Sequence, residues 1–204
     1  MLYVISGPSG CGKSTLIRRL LNEMKATVRF SVSHTTRAKR SMELHGKDYY
    51  FISEEEFQSL VRKGAFLEWA AVHGHHYGTS WREIESKLEQ GDLILDIDVQ
   101  GARQVKAKHP RAVFVFVVPS RLEELRRRLE LRGTNSPESI RERLAVAKGE
   151  VEAFEEFDYI VVNDLVEKAA QELRSIIVCG KCRRDSRLEE MSAIINSYRL
   201  EAGS

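Results

Sequence analysis

Short apolar runs recur along the chain, separated by longer stretches of mixed periodicity. β-Branched or aromatic runs bounded by turn residues fall at 2–6 (LYVIS), 28–32 (VRFSV), 93–97 (LILDI), 113–118 (VFVFVV) and 159–162 (YIVV). They are predicted to be buried strands. Helical patterns lie between most of them, with recognisable start signals. Ser53 with Glu56 and Ser120 with Glu123 have capping-box spacing, and Ser136 before Pro137 fits an N-cap followed by proline at the first helical position. This alternation predicts an α/β fold, a central parallel sheet covered by helices on both faces. Such sheets take their ligands at the carboxyl ends of the strands.

At 204 residues the chain can build one well-buried core with inserted lobes, and falls short of two ordinary domains. With 42% apolar and 30% charged residues it is excluded from the disordered and membrane classes. The longest uninterrupted apolar run, 112–118, has seven residues. A spanning helix needs about 20, so no membrane partner is expected. The first residues lack the basic start of a signal peptide, and three cysteines, an odd number, make no disulfide framework. The expected location is therefore cytoplasmic. A net charge of +2 gives no reason to expect nucleic acid as a partner.

The first apolar run leads directly into GPSGCGKST, residues 7–15, which fits the phosphate-binding loop G-x-x-x-x-G-K-[ST] at Gly7, Gly12, Lys13 and Ser14. Glycines let the backbone N–H groups turn inward towards phosphate oxygens, and the helix that follows adds the positive end of its dipole. Lys13 is expected at the β and γ phosphates of a nucleoside triphosphate, and Ser14 at a magnesium ion.

Three further stretches carry candidate chemistry. Residues 33–51 offer Arg37, Arg40 and Tyr49, suited to clamping an anionic acceptor; the plain alternative is a basic surface loop. Residues 121–143 hold seven arginines against five glutamates. Most are expected to make solvated ion pairs of little worth, while Arg128 and Arg132, one turn apart, share a helix face. Finally, Glu68 is a carboxylate among Phe66, Leu67, Trp69, Ala70 and Ala71. An unpaired buried charge is costly, so either Glu68 points into water or a ligand arrives to pair with it.

The motifs GPSGCGKST, SVSHTTRAKR, HGKDYYF, FLEWAAVHGHHYGTS, ILDIDVQG, RRRLELRGT, RERL and IVVND stand in the order and spacing of the guanylate kinases, which the chain resembles over residues 2–178. The resemblance implies a P-loop kinase three-layer fold that moves a phosphoryl group from ATP to GMP, and to dGMP as well, with Mg2+ accompanying ATP. It also implies a core of residues 1–32, 82–120 and 155–204, a GMP-binding lobe over 33–81 and a lid over 121–154. By motif, Arg37, Arg40, Tyr49 and Tyr77 would hold the GMP phosphate, while Ser33, Glu68, Thr79 and Asp98 would contact guanine. Gly7, Pro8, Ser9, Gly10, Cys11, Gly12, Lys13, Ser14 and Thr15 would cradle ATP, Arg128 would lie against its adenine, and Asn163 and Asp164 would line the adenine pocket. Lys13, Arg37, Arg132 and Arg143 would be catalytic, the last two bridging the phosphates in the closed state. Ser14 and Asp96 would attend the magnesium, although Asp96 could equally be a capped strand end.

Phosphoryl transfer asks for positioning and charge neutralisation rather than a nucleophilic side chain, which suits this set. Two departures concern the site. Cys11 fills a variable loop position where its thiol is a candidate for modification, and Met42 stands where many relatives have glycine, which bears on the turn between Arg40 and Tyr49. Beyond residue 178, Cys179 and Cys182 form a single C-x-x-C. A closed zinc site wants four ligands, so the pair reads as inert or weakly redox-active, with a metal site shared between subunits as the alternative. The apolar stripe Leu188, Met191, Ile194, Ile195 and Tyr198 is expected to pack on the chain's own core; a homo-oligomer contact is the alternative. Two other functions remain open on sequence: a non-catalytic protein-binding module of the same fold, and a kinase for another phosphorylated acceptor. An intact phosphate loop argues against the first, and the guanine-reading set against the second.

Overall fold

The computed structural model describes residues 1–72, 74–131 and 136–201. In chain order its elements are β1 (Leu2–Ser6), α1 (Lys13–Met24), β2 (Val28–Phe30), β3 (His34–Thr35), β4 (Tyr50–Phe51), α2 (Glu54–Arg62), β5 (Phe66–Val72), β6 (His75–Ser80) and α3 (Trp81–Leu88). They continue as β7 (Asp92–Asp96), α4 (Val99–Lys108), β8 (Val113–Val118), α5 (Leu122–Leu131), α6 (Pro137–Glu152), β9 (Tyr159–Val162), α7 (Val166–Lys181) and α8 (Leu188–Glu201).

The five apolar runs of the sequence become one parallel sheet in the order β2-β7-β1-β8-β9. Strand alternation sends Tyr3, Ile5, Val115 and Val117 to one face, against Leu16 and Leu20 of α1 and Leu173 and Ile177 of α7. Leu2, Val4, Leu93 and Leu95 go to the other, against Ile84 of α3 and Ala102 and Val105 of α4. Each such leucine or isoleucine contributes about 1.5–3 kcal/mol by leaving water. The result is the predicted three-layer α/β core. Its centre is β1, whose Ile5 lies in register with Asp96 of β7. The carboxyl ends of these two strands therefore open on the same spot.

A second sheet, ordered β4-β3-β6-β5, projects from the core between β2 and α3. The sequence pattern does not announce it, because β3 and β4 are two residues long and β6, HHYGTS, has no apolar run. A third unit, α5 with α6, closes around Leu125, Leu129, Leu144 and Ala147.

Two of the three helix starts form as the sequence indicates. Ser53 and Glu56 make the reciprocal capping box, and the Ser136 side chain caps α6 ahead of Pro137. At Ser120 the backbone N–H donates instead to Asp164 Oδ1 at 2.9 Å, so a carboxylate from beyond β9 takes the place expected for Glu123.

The tail departs from expectation. On α8, Leu188, Met191, Ile194, Ile195 and Tyr198 are all exposed, so the stripe does not pack on the chain's own core. Periodicity locates an apolar face but cannot say what covers it. Cys179 and Cys182, at the end of α7, are free and exposed. Among the described residues no three His, Cys, Asp or Glu side chains gather as a metal site, and no helix is long and apolar enough to cross a membrane.

Candidate active site

The loop between β1 and α1 is shaped by its glycines and held from beneath. Gly12 takes φ of 99°, left-handed backbone that favours glycine, directly above the Asn163 amide. The Cys11 carbonyl accepts from Arg128 Nη1 at 2.9 Å and Asn163 Nδ2 at 2.8 Å, tying the loop to α5 and to the end of β9. The Cys11 thiol is wholly buried in the core, which corrects its candidacy for modification. Lys13 Nζ donates to the Gly7 carbonyl at 2.6 Å and stands 4.0 Å from Asp96 Oδ1; the Ser14 hydroxyl donates to Asp96 Oδ2 at 3.3 Å. Burial disfavours the Lys13 charge, but Cys11 and the carboxylates of Asp96, Glu150 and Asp98 around it outweigh burial and hold the ammonium above its usual value. Asp96 is pushed up by burial, partly offset by Lys13 and Ser14.

A cleft of about 520 Å³ joins this loop to the second sheet. Its walls include Ser9, Gly10, Gly12, Lys13 and Ser14 of the loop and its helix, Asp96 at the end of β7 and Asp98 beyond it, and Ser33, Arg37, Arg40, Tyr49, Glu68 and Tyr77 of the projecting lobe. Arg143, Val146 and Glu150, one face of α6, line it from the third side. Residues spread from 7 to 150 thus meet where the central strands end, as a parallel sheet requires of its ligand site.

Glu68 points inward. The pairing of β5 with β6 shifts register between Phe66 and Glu68, and this bulge lets Leu67 and Glu68 both face the interior. Glu68 is only 3% exposed. Trp69, next to it on β5, is 37% exposed and packs near Phe57 and His76. The real surroundings of Glu68 are polar. Burial is the main force lifting its carboxyl to about 7; the Thr79 hydroxyl and N–H pull down, Asp98 pushes up and Lys108 pulls down. Thr79 Oγ1 lies 3.0 Å from the Ser33 hydroxyl. Asp98 caps α4, its Oδ1 accepting the Gly101 N–H at 2.8 Å, and burial raises its carboxyl too. Glu68, Asp98 and Ser33 line one side of the cleft together, an acceptor-rich surface backed by the buried Thr79.

The arginine clamp is organised by Glu43. Arg37 makes a two-pronged pair with it, Nη2 to Oε1 at 2.7 Å and Nη1 to Oε2 at 3.0 Å, and lies 5.5 Å from the Tyr49 ring centre. The Arg40 N–H donates to Glu43 Oε2 at 2.8 Å, while its guanidinium stays 3.9 Å from Oε1 and largely in solvent. The doubtful turn forms without difficulty: Met42 is 90% exposed, and the Glu43 N–H reaches the Arg40 carbonyl at 3.1 Å. Burial raises the Tyr49 phenol, so it remains a hydrogen-bond donor, with the Tyr77 ring 5.9 Å away.

The arginines beyond the core divide by role. Arg128 is locked along its edge, donating to Glu124 at 2.6 Å, Cys11 O at 2.9 Å and Asn163 O at 2.7 Å. Arg127 and Arg128 together draw Glu124 down to about 2. Asn163 is 1% exposed and lies under the loop rather than on the cleft wall, whereas Asp164 is at the surface. Arg143 Nη1 donates to the Ser9 hydroxyl at 3.1 Å, so α6 already touches the loop. Arg132 lies outside the described residues.

Sequence reasoning gave no role to Glu43 or Glu150. Glu43 sits three residues after Arg40, a spacing that could have flagged it. Glu150 follows Arg143 by seven residues on one helix, which puts both on the same face. Burial raises the Glu150 carboxyl against the pull of Lys13, with Asp98 adding to the rise and the Ser9 N–H opposing it.

A strand-fed phosphate loop, an anion clamp and a helical arm reaching the loop from the opposite wall place this protein among the phosphate-loop kinases. The family profile described as Guanylate kinase matches residues 1–179. The guanylate kinase of Geobacter metallireducens is 49% identical over 193 residues, 94% of this chain and 95% of that protein, and that of Geobacter sulfurreducens is 45% identical over 197 residues, 96% and 97% of the two chains. The crystal structure of guanylate kinase from Anaplasma phagocytophilum superposes with a TM-score of 0.74 at 34% identity, covering 90% of this chain and 87% of that one. The chain belongs to the guanylate kinase family.

Proposed function

We propose that the protein transfers the γ-phosphoryl group of ATP to GMP, and to dGMP. The observation that carries this reading is the buried, acceptor-lined slot of Glu68 and Asp98 in the same cleft as the phosphate loop. Guanine presents N1–H and the N2 amine side by side, two donors for one carboxylate, whereas adenine offers an acceptor at N1 and nothing beside it. Arg37, Arg40, Tyr49 and Tyr77 take the acceptor phosphate, and Ser33 and Thr79 complete the base slot. The loop backbone and Lys13 hold the β and γ phosphates, with Arg143 and Arg132 closing from the lid at 121–154. Arg128, bound along its edge, keeps its flat face for adenine. Asp164, whose Oδ1 accepts the Ser120 N–H, would line the adenine pocket.

Ser14 and Asp96, a hydroxyl beside a partly buried carboxylate, are the hard oxygen donors a magnesium ion prefers. When bound with ATP the ion neutralises phosphate charge. The chain's own contribution is positioning and water exclusion by closure of lobe and lid. A coupled assay of ADP release with GMP, dGMP, AMP, UMP, CMP and ribose 5-phosphate tests the reading. GMP and dGMP should be used and the others poorly; a preferred sugar phosphate, or no transfer to any of them, would overturn it.

Two further outcomes follow from the geometry. If Arg143 acts mainly on the closed transition state, Arg143→Ala should lower kcat about 10²–10³-fold with GMP KM within about threefold of the parent. A rise in KM alone would assign Arg143 to ground-state binding. Second, guanine needs the ionised form of Glu68, while the free protein holds its carboxyl near 7. GMP binding should therefore release a proton. Affinity should climb by up to about tenfold per pH unit below 7 and level off above it. The GMP phosphate also ionises near pH 6, so calorimetry on Glu68→Gln provides the background. Equal proton release from parent and mutant would refute the linkage.

A further inference from the structure

We infer that Gly101 is a specificity-determining positioning residue: its missing side chain is the space in which Glu68 and Asp98 are held to read the base. The inference rests on the proposal that these carboxylates bind guanine.

Gly101 lies in the first turn of α4, where glycine is a poor choice. It has ordinary helical backbone, and alanine is the better helix former at such a position. Turn chemistry does not explain it. Steric clearance does. A Cβ built on Gly101 would come 2.5 Å from Glu68 Oε2, 3.3 Å from Glu68 Cδ and 3.3 Å from Asp98 Oδ1. Its nearest neighbours are thus the two carboxylates of the slot. The Gly101 N–H meanwhile holds Asp98 Oδ1 at 2.8 Å. One residue fixes one carboxylate by a hydrogen bond and makes room for the other.

The seam between α4 and β5 cannot readily open to admit a methyl group. Gln104, one turn on from Gly101, bonds the Trp69 backbone twice, Nε2 to the carbonyl at 2.6 Å and Oε1 from the N–H at 3.2 Å. Lys108, a further turn along the same face, donates to the Leu67 carbonyl at 2.5 Å. The backbone on both sides of Glu68 is therefore pinned to α4. With the backbone fixed, a methyl at 101 displaces the movable part, the Glu68 carboxylate. The fold tolerates the change and base reading does not.

The test compares Gly101→Ala, Glu68→Gln and the double mutant for GMP kinetics, affinity for an ATP analogue and Tm. Gly101→Ala should raise GMP KM by at least about tenfold. It should change kcat and ATP-analogue affinity by less than about threefold, with Tm equal to the parent's or higher. In the Glu68→Gln background the same change should cost less than about threefold, because its target is already lost. A parent-like KM in Gly101→Ala, or an equal loss in both backgrounds, overturns the inference. So does a fall in Tm with weaker ATP-analogue binding, which marks a structural role. If Glu68→Gln is impaired and Gly101→Ala is not, the inference fails and the guanine reading stands. If Glu68→Gln itself handles GMP as the parent does, the guanine reading fails and takes the inference with it.

Discussion

Lys13→Ala is expected to lower phosphoryl transfer by about 10³-fold or more while leaving the fold and most GMP binding in place. The lysine is the one loop side chain placed to follow charge onto the transferred group, and its surroundings hold its ammonium above the usual lysine value. In the free protein it is folded back on the Gly7 carbonyl at 2.6 Å, so it must swing outward when phosphate arrives. Its removal costs the loop that bond, yet the loop stays anchored through the Cys11 carbonyl to Arg128 and Asn163. In the projecting lobe Arg37 and the Arg40 N–H are held separately, by Glu43. Calorimetry with GMP on the mutant should therefore give a Kd within a few fold of the parent. Near-parent turnover would remove Lys13 from the mechanism.

For Glu68→Gln, kcat/KM with GMP should fall about ten- to a hundredfold, with ATP-analogue binding unchanged and AMP still a poor acceptor. The Thr79 hydroxyl and N–H already favour the carboxylate, so an amide in its place turns one donor towards another, either Thr79 or the guanine N1–H. Stability should move the other way. A buried carboxyl lifted to about 7 is paying for desolvation, and the neutral amide escapes that cost, so Tm should hold or rise. AMP stays poor because removing a repulsion does not build the missing hydrogen bonds. Parent-like use of GMP by the mutant would leave the base to be read elsewhere.

What could be read from the letters depended on how local the cause was. The central strands β1, β7 and β8 announce themselves because a buried parallel strand must be apolar along its whole length. At the sheet edge, β9 is equally apolar yet leaves Tyr159, Ile160 and Val162 exposed, against the buried strand expected there. The phosphate loop is equally plain, its glycines and lysine being consecutive. Glu68 shows the limit. Its presence among apolar neighbours raised the right question, but the bulge after Phe66 that turns it inward leaves no period-two signature. At Ser120 the capping partner is Asp164, 44 positions away, where no local spacing rule reaches. Gly101 looks in sequence like an ordinary helix-start glycine, and its meaning appears only when β5 is laid against α4. The α8 stripe was correctly found and wrongly covered, since amphipathicity reports a face and not its partner.

The most direct measurement is a competition. The protein is mixed with ATP labelled at the γ-phosphate, Mg2+ and equimolar GMP, IMP and AMP, and the label is followed into each diphosphate at early times. IMP keeps the N1–H of guanine and lacks only the N2 amine, so it isolates the second donor that Glu68 is held to accept. Label should enter GDP first, IDP at least about tenfold more slowly, and ADP made from AMP slowest. Equal labelling of GDP and IDP, or faster labelling of AMP, would contradict a base read by a buried carboxylate.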